Sequence, residues 1–232
     1  FNDPVLTLLA LRDAGLAPLL YIDIDAHHGD GVQDAFHDDD RVFTLSIHET
    51  GRWPMQRRNP DPMQPGGVRD RAGGTARNIP VPEGLNDDEL EAIVEGAVLP
   101  LIQDFEPDAI FLQCGVDAFA DDPQSKLMIS NTALWRAVAA VRDLAPRVIA
   151  SGGGGYNPFS VARGWAGVWG VLAGFDMPDR LPEEAEDLLR GVTWRHRRAV
   201  DPPERWFTTL ADPAHHGPIR DEIRDLIRAV AD

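Results

Sequence analysis

The stretch Pro18-Leu19-Leu20-Tyr21-Ile22-Asp23-Ile24-Asp25-Ala26-His27-His28-Gly29-Asp30-Gly31 decides how this chain is read. Its first part is apolar; the part that follows sets three carboxylates and two imidazoles within positions 23–30. A buried strand delivering acidic and imidazole groups to its C-terminal end has this form. Side chains alternate along a strand, so Asp23, Asp25 and His27 share one face if the extended conformation continues through them. A carboxylate and an imidazole projecting together offer oxygen and nitrogen to one divalent ion, typically zinc. The bland alternative is a solvated Asp/His turn capping the next helix. The strand reading is preferred because a core-side Asp without a partner is costly.

Upstream, Asn2 or Asp3 before Pro4 marks a helix start, Leu6 to Arg12 continue it and Gly15 ends it. The first strand then spans Leu19 to Asp25. Downstream, Gly31 to Phe36 predict a short helix and Arg41 to His48 a second strand. Residues 49–85 read as a long surface loop with one short strand near Asn78 to Val81, and such a loop in a compact domain is usually functional. Asn86 with Glu89 forms a capping-box start to a helix reaching Phe105, which Pro100 should kink or end early. Strands at Asp108 to Cys114 and Arg147 to Ala150 alternate with helices at Asn131 to Leu144 and from Asn157 or Pro158 to Leu172. This rhythm predicts parallel βαβ units with helices on both faces of the sheet. Ligands in such sheets bind outside the carboxyl ends of the strands. Asp25 and His27, His48, Asp117 and the glycine turn with Tyr156 all fall there.

Composition narrows the classes. A chain of 232 residues with 43% hydrophobic content fits one large domain. No internal repeat and no bilayer-length apolar run is visible. The formal charge of −16 argues against a phosphate-tracking nucleic-acid binder. Oligomer formation stays open. The single cysteine, Cys114, excludes an internal disulfide and predicts a reducing, cytoplasmic setting. No secretory signal is evident, and Phe1 in place of Met reads as something other than a natural translation start.

Asp117 follows the apolar run Phe111 to Val116 and is the natural third ligand beside Asp25 and His27; taken alone it could be a capping aspartate. Two carboxylates and one imidazole leave a coordination position open, the catalytic rather than the structural pattern. The glycines at 152–155 permit close backbone approach or positive φ. Their spacing is not that of a phosphate-binding loop. Tyr156 could aim its phenol at a reacting oxygen or be an ordinary core-edge tyrosine. Asp23 and Asp30 suit the orienting of imidazoles better than metal ligation. His28 and His48 read as packed, hydrogen-bonded histidines. His37, His196, His215 and His216 read as solvated, Trp165 and Trp169 as core, and Glu183 to Asp187 as a solvated helix face.

Three segments together carry a resemblance: Tyr21 to Val32, Gln113-Cys114-Gly115-Val116-Asp117 and Gly152-Gly153-Gly154-Gly155-Tyr156-Asn157. In order and type they resemble the zinc-dependent histone deacetylase superfamily, with bacterial acetoin-utilisation-type members nearest. The resemblance covers roughly residues 1–175. It implies the arginase/deacetylase fold, a three-layer α/β/α domain with a mainly parallel sheet. Residues 1–178 would be the C-terminal portion of the catalytic domain, and 179–232 a helical extension packing on it. It further implies Asp25, His27 and Asp117 as zinc ligands and Tyr156 as the group polarising an acetyl carbonyl. Asp23 and Asp30 would be the carboxylates partnering a tandem histidine pair. A potassium or sodium ion is implied near Asp23, Asp25, His27, Ser46 and Ile47, and a second at the carbonyls of Phe36, Asp39 and Val42. Gly154, Gly155 and Trp53 would line the substrate channel.

Two departures stand out. The family's tandem histidines lie upstream of a Phe-Asn-Asp segment, and this chain opens on Phe1-Asn2-Asp3. His27-His28 is a different pair. The general base and the first strands of the fold are therefore expected to be missing, and the piece by itself to be inactive. The second departure is Met55 to Gln64, where many members carry a Phe-Pro-Gly-Thr-Gly-type segment. The expected activity is hydrolysis of acetyl-lysine or a related acetylated amine. The rivals are a ureohydrolase with two manganese ions and a non-catalytic acetyl-ligand module.

Overall fold

The computed structural model describes residues 2–55 and 62–231. The centre of the Met55 to Gln64 segment, 56–61, lies outside the described residues.

Five strands form one parallel sheet: β1 (Leu19–Asp23), β2 (Val42–Glu49), β3 (Ala76–Val81), β4 (Ala109–Gln113) and β5 (Val148–Ser151), in the spatial order β3-β2-β1-β4-β5. Every residue of β1 is buried, as a central strand covered on both faces requires. Leu19 and Tyr21 face one layer, with Leu8 of helix α1 (Asp3–Asp13) and Val32 of α2 (Asp30–Ala35). Leu20 and Ile22 face the other. That second layer comprises α3 (Asp87–Ile93), α4 (Leu99–Phe105), α5 (Asn131–Val141) and α6 (Pro158–Ala173). Each fully buried leucine or isoleucine contributes about 1.5–3 kcal/mol by leaving water. The result is the three-layer α/β/α architecture expected from the sequence.

β1 is shorter than expected. It ends at Asp23, whose carboxylate accepts the Asp25 N–H at 3.3 Å; Asp25 in turn accepts the His27 N–H at 2.7 Å. These two successive Asx-type bonds bend the chain out of the extended conformation. Asp25 and His27 therefore sit in a turn rather than on a strand face.

Pro100 neither ends its helix nor breaks it. α3 starts on the expected capping box of Asn86 and Glu89 and runs through a π turn, Val94–Val98, into α4. The wide turn carries the Leu99 N–H back to the Val94 carbonyl, so the missing donor of Pro100 falls where the bonding register has already shifted.

Trp165 and Trp169 part company. The Trp165 indole N–H donates to the Cys114 carbonyl at 2.9 Å, whereas Trp169 is 64% exposed and stacks on Phe175. α6 docks through Gly164 and Gly167, where a methyl group would collide with Phe119 and Trp135. A helix that buries its glycines leaves a tryptophan outside.

Residues 179–232 add α7 (Glu183–Gly191), α8 (Arg205–Thr208) and α9 (Asp221–Ala231). α7 buries none of its residues. α9 lies against β3 and the π turn, with Ile223 and Val230 in the main core. Among the described residues no helix is long and apolar enough to cross a membrane.

Candidate metal centre

The C-terminal ends of β1, β2 and β4 converge. Asp23 lies opposite Ser46 on one side and Gln113 on the other, so the turns that follow deliver side chains to one point. Ligand atoms of Asp25, His27 and Asp117 lie within 4.8 Å of one another. His27 Nδ1 stands 2.9 Å from Asp117 Oδ2, and the Ala26 N–H donates to Asp117 Oδ1 at 2.8 Å. Asp117 is fully buried. Gln113 donates its side-chain amide to Asp25 Oδ2. Two carboxylates and one imidazole, already oriented by neighbouring donors, suit a divalent ion.

The electrostatics agree. Burial, then the Asp117 carboxylate, pushes Asp25 up to about 6. Burial and the Asp25 charge raise Asp23 well above the usual carboxylate range. The hydrogen bond to Asp117 raises His27. Acidic groups confined this closely repel one another, and a cation between them would relieve it.

Asp23 also accepts the Tyr21 hydroxyl at 2.6 Å. An open cavity of about 370 Å³ is bounded by Asn2, Asp23, His27, Asp30, Gln113 and Gly153. Asp30 accepts the N–H of its neighbour Gly31 at 2.7 Å. Among the described residues no imidazole is bonded to Asp23 or Asp30.

The other two histidines beside the site are engaged. His28 Nε2 pairs with the Gln33 side-chain oxygen at 3.2 Å. His48 is fully buried between Ser46 Oγ at 2.9 Å and the Gly66 carbonyl at 3.0 Å. Burial, then His28, lowers it to about 3. The neutral tautomer fits: Nε2–H donates to Gly66, and Nδ1 accepts from Ser46.

The glycine turn closes the site. A Cβ on Gly154 would lie 2.0 Å from Asp117 Oδ2, and Gly155 has φ +156°. Only glycine lets the backbone pass the Asp117 carboxylate this closely. Tyr156 follows, half exposed; burial, then the Asp117 and Asp25 charges, raises its phenol above the ordinary value. Trp53 is exposed at the rim, its ring 6.4 Å from that of His27. Ser46 and Ile47 lie in β2 beside Asp23. Phe36, Asp39 and Val42 are gathered in the turn before β2, linked by Asp39 N–H to Phe36 O and Val42 N–H to Asp39 O. At about 3.3 Å per residue, that turn is about 13 Å from Ser46.

A family model described as "Histone deacetylase domain" matches residues 1–172. This chain belongs to the histone deacetylase family. The family's "Putative histone deacetylase 2" of Caenorhabditis elegans is 37% identical over 186 residues, covering 78% of this chain and 35% of the relative. "Histone deacetylase clr6" of Schizosaccharomyces pombe is 36% identical, covering 71% and 40%. A crystal structure of an HDAC homologue from Aquifex aeolicus superposes with a TM-score of 0.87 at 36% identity, covering 99% of this chain and 62% of that one. An HDAC homologue complexed with SAHA gives 0.86 at 35%. The chain thus spans well under half the length of these curated histone deacetylases.

Two supporting residues of this deacetylase-family site escaped the sequence reading. Gln113 entered the sequence analysis only as part of the Gln113 to Asp117 segment, without a role of its own, and Asp122 was assigned none. Asp122 is fully buried and accepts the Tyr156 N–H at 2.6 Å. A polar residue ending an apolar strand was the one available signal for Gln113; Asp122 offered none.

Proposed function

We propose that this site hydrolyses N-acetyl amides, of lysine side chains or related amines, with one zinc ion held by Asp25, His27 and Asp117. The convergence of these three donors beside Tyr156 at the carboxyl edge of the sheet carries the reading. One such donor group is present among the described residues, which supports one ion rather than the ureohydrolase pair. When bound, zinc polarises a carbonyl and lowers the pKa of water. Tyr156 donates its hydroxyl to the acyl oxygen as negative charge develops there, worth about 3–4 kcal/mol for one well-placed donor. Gln113 orients Asp25, and Trp53, Gly154 and Gly155 border the acyl channel. Residues 1–178 carry this chemistry and 179–232 extend it.

Asp23, Asp25, His27, Ser46 and Ile47 would hold a potassium or sodium ion, supported by their gathering around the end of β1. Phe36, Asp39 and Val42 would hold a second through carbonyl oxygens.

Asp23 and Asp30 face the open cavity as partners for imidazoles that receive the water's proton. His27, His28 and His48 are committed elsewhere, so residues 1–232 by themselves should turn over about 100- to 10,000-fold below an enzyme with that base. The same observation favours the second reading, an acetyl-ligand module without turnover.

The test is acetyl-lysine peptide hydrolysis by the zinc-loaded protein beside the Aquifex homologue, with metal content counted. Zinc bound once per chain, lost in Asp117→Ala, with slow chelator-sensitive turnover, is the expected result. Unchanged, chelator-insensitive hydrolysis in Asp117→Ala would sink the proposal. Two manganese ions per chain would favour the ureohydrolase, and tight acetyl-peptide binding with zero turnover the module.

A further inference from the structure

The loop after Asp117 spans the space between a metal ligand and Tyr156. Its first residue is tied down by Ser125 Oγ, which donates to the Asp117 carbonyl at 2.5 Å. Its sixth, Asp122, bridges two backbone amides: Oδ1 accepts from Gln124 at 2.8 Å and Oδ2 from Tyr156 at 2.6 Å. Between them, Asp121 accepts three bonds. Arg205 donates to its carboxylate at 2.5 Å, the Trp206 indole N–H at 2.7 Å, and Asn157 Nδ2 donates to its carbonyl at 3.1 Å. Arg205 also reaches Asp212, which buried Arg163 of α6 holds at 2.7 Å.

We propose that Asp122 is a positioning residue for Tyr156, and that Arg205 and Trp206 of the C-terminal segment fix the loop bearing it by gripping Asp121. The inference rests on the role given above to Tyr156. It extends the site's support beyond residue 172, where the family match ends.

The physical need is specific. Tyr156 emerges from four glycines, which let the backbone pass Asp117 but supply no side chain to hold the turn. Its own side chain is 49% exposed, so packing fixes it only in part. What remains is its amide, anchored to a carboxylate without solvent access. A charged acceptor makes a short, strong bond with a backbone donor. The Asp121 clamp then decides where that acceptor stands. A displacement of about 1 Å at a reacting group costs up to about 100-fold in rate.

The chain has two tyrosines, Tyr21 and Tyr156. Fluorotyrosine labelling therefore gives two ¹⁹F resonances, assigned with Tyr156→Phe. Tyr21, buried and bonded to Asp23, serves as the internal control for the fold. Asp122→Ala and Arg205→Gln should broaden or split the Tyr156 resonance while leaving that of Tyr21 in place, and Arg205→Lys should restore most of the wild-type line. Arg205, partly exposed, keeps the test decisive if Asp122→Ala fails to fold. In zinc-loaded protein that turns over, both changes should lower kcat about 10- to 100-fold with KM little altered, and neither should lower it further in a Tyr156→Phe background. A Tyr156 line unchanged in Arg205→Gln, or a Tyr21 line that moves equally, overturns the proposal. If hydrolysis is absent altogether the function fails, but the ¹⁹F result still decides the positioning claim.

Discussion

Gln113, the last residue of β4, donates its side-chain Nε2 to Asp25 Oδ2 at 2.5 Å and accepts the Gly115 N–H on its side-chain Oε1 at 2.6 Å. The amide's orientation is thereby fixed, and with it the carboxylate that it holds. Gln113→Ala should weaken divalent-ion affinity about 10- to 100-fold, the usual effect of losing a group that orients a ligand. Competition for zinc against a chromophoric chelator measures it. An unchanged affinity would show that Asp25 needs no help.

Gly154→Ala should be more damaging than a single methyl suggests. The new carbon would lie 2.0 Å from Asp117 Oδ2, so either the turn or the ligand must move. Overpacking of this kind costs about 1–3 kcal/mol. Urea unfolding should show that loss together with weaker zinc binding, whereas Gly174→Ala, at a helix C-cap with open space around it, should leave zinc binding intact.

His48 sets a pH dependence. It is neutral in the folded chain, lowered to about 3 by burial, against about 6.5 when unfolded. Below pH 6.5 the unfolded chain therefore binds the extra proton. The stability that His48 contributes is complete above that pH and is lost as pH falls toward 3, by at most about 1.4 kcal/mol per unit. Asp23 and Asp25, with raised folded values, act in the opposite sense. The difference between wild type and His48→Gln isolates the histidine. Metal-free urea titrations at pH 7 and pH 5 should give wild type the larger loss; equal losses would refute the neutral assignment.

Glu89 ties the chain's end to its middle. Its buried carboxylate caps α3 through Asn86 and receives the N–H, Nε and guanidinium donors of Arg220, just before α9. Glu89→Ala removes half of the capping box and leaves Arg220, a third exposed, to water and the Glu83 carbonyl. A loss of about 1–2 kcal/mol is expected, the scale for a lost cap and a partly solvated ion pair. The urea midpoint should fall accordingly, with little change in zinc affinity.

The convergence of Asp25, His27 and Asp117, the proposed metal donors, was legible because their chemistry is carried by residue type. Asp25, His27 and Asp117 each follow an apolar strand, and parallel βαβ topology sends such positions to one edge. What failed was local geometry. Asp23 and Asp25 each capture an amide two residues on, so β1 stops early; periodicity cannot register a competing side-chain bond. Pro100 was read by its missing donor, without the π turn that accommodates it. Trp169 was read as core from its helical spacing to Trp165, although α6 buries its glycines and leaves Trp169 outside. The roles of Gln113 and Asp122 went unread for another reason: their partners are 88 and 34 positions away, and only the closed sheet makes them neighbours.

β1 is hydrogen-bonded along both of its edges, to β2 and to β4. Strands so placed exchange their amide hydrogens last, because releasing them requires opening the sheet itself. The turn bearing Asp25 and His27 springs from this slowest-opening part of the molecule, and Asp117 from the end of the neighbouring strand. Stripping the ion should therefore leave an intact protein that takes up metal again without refolding, with association rates set by diffusion and dehydration of the ion rather than by rearrangement of the chain.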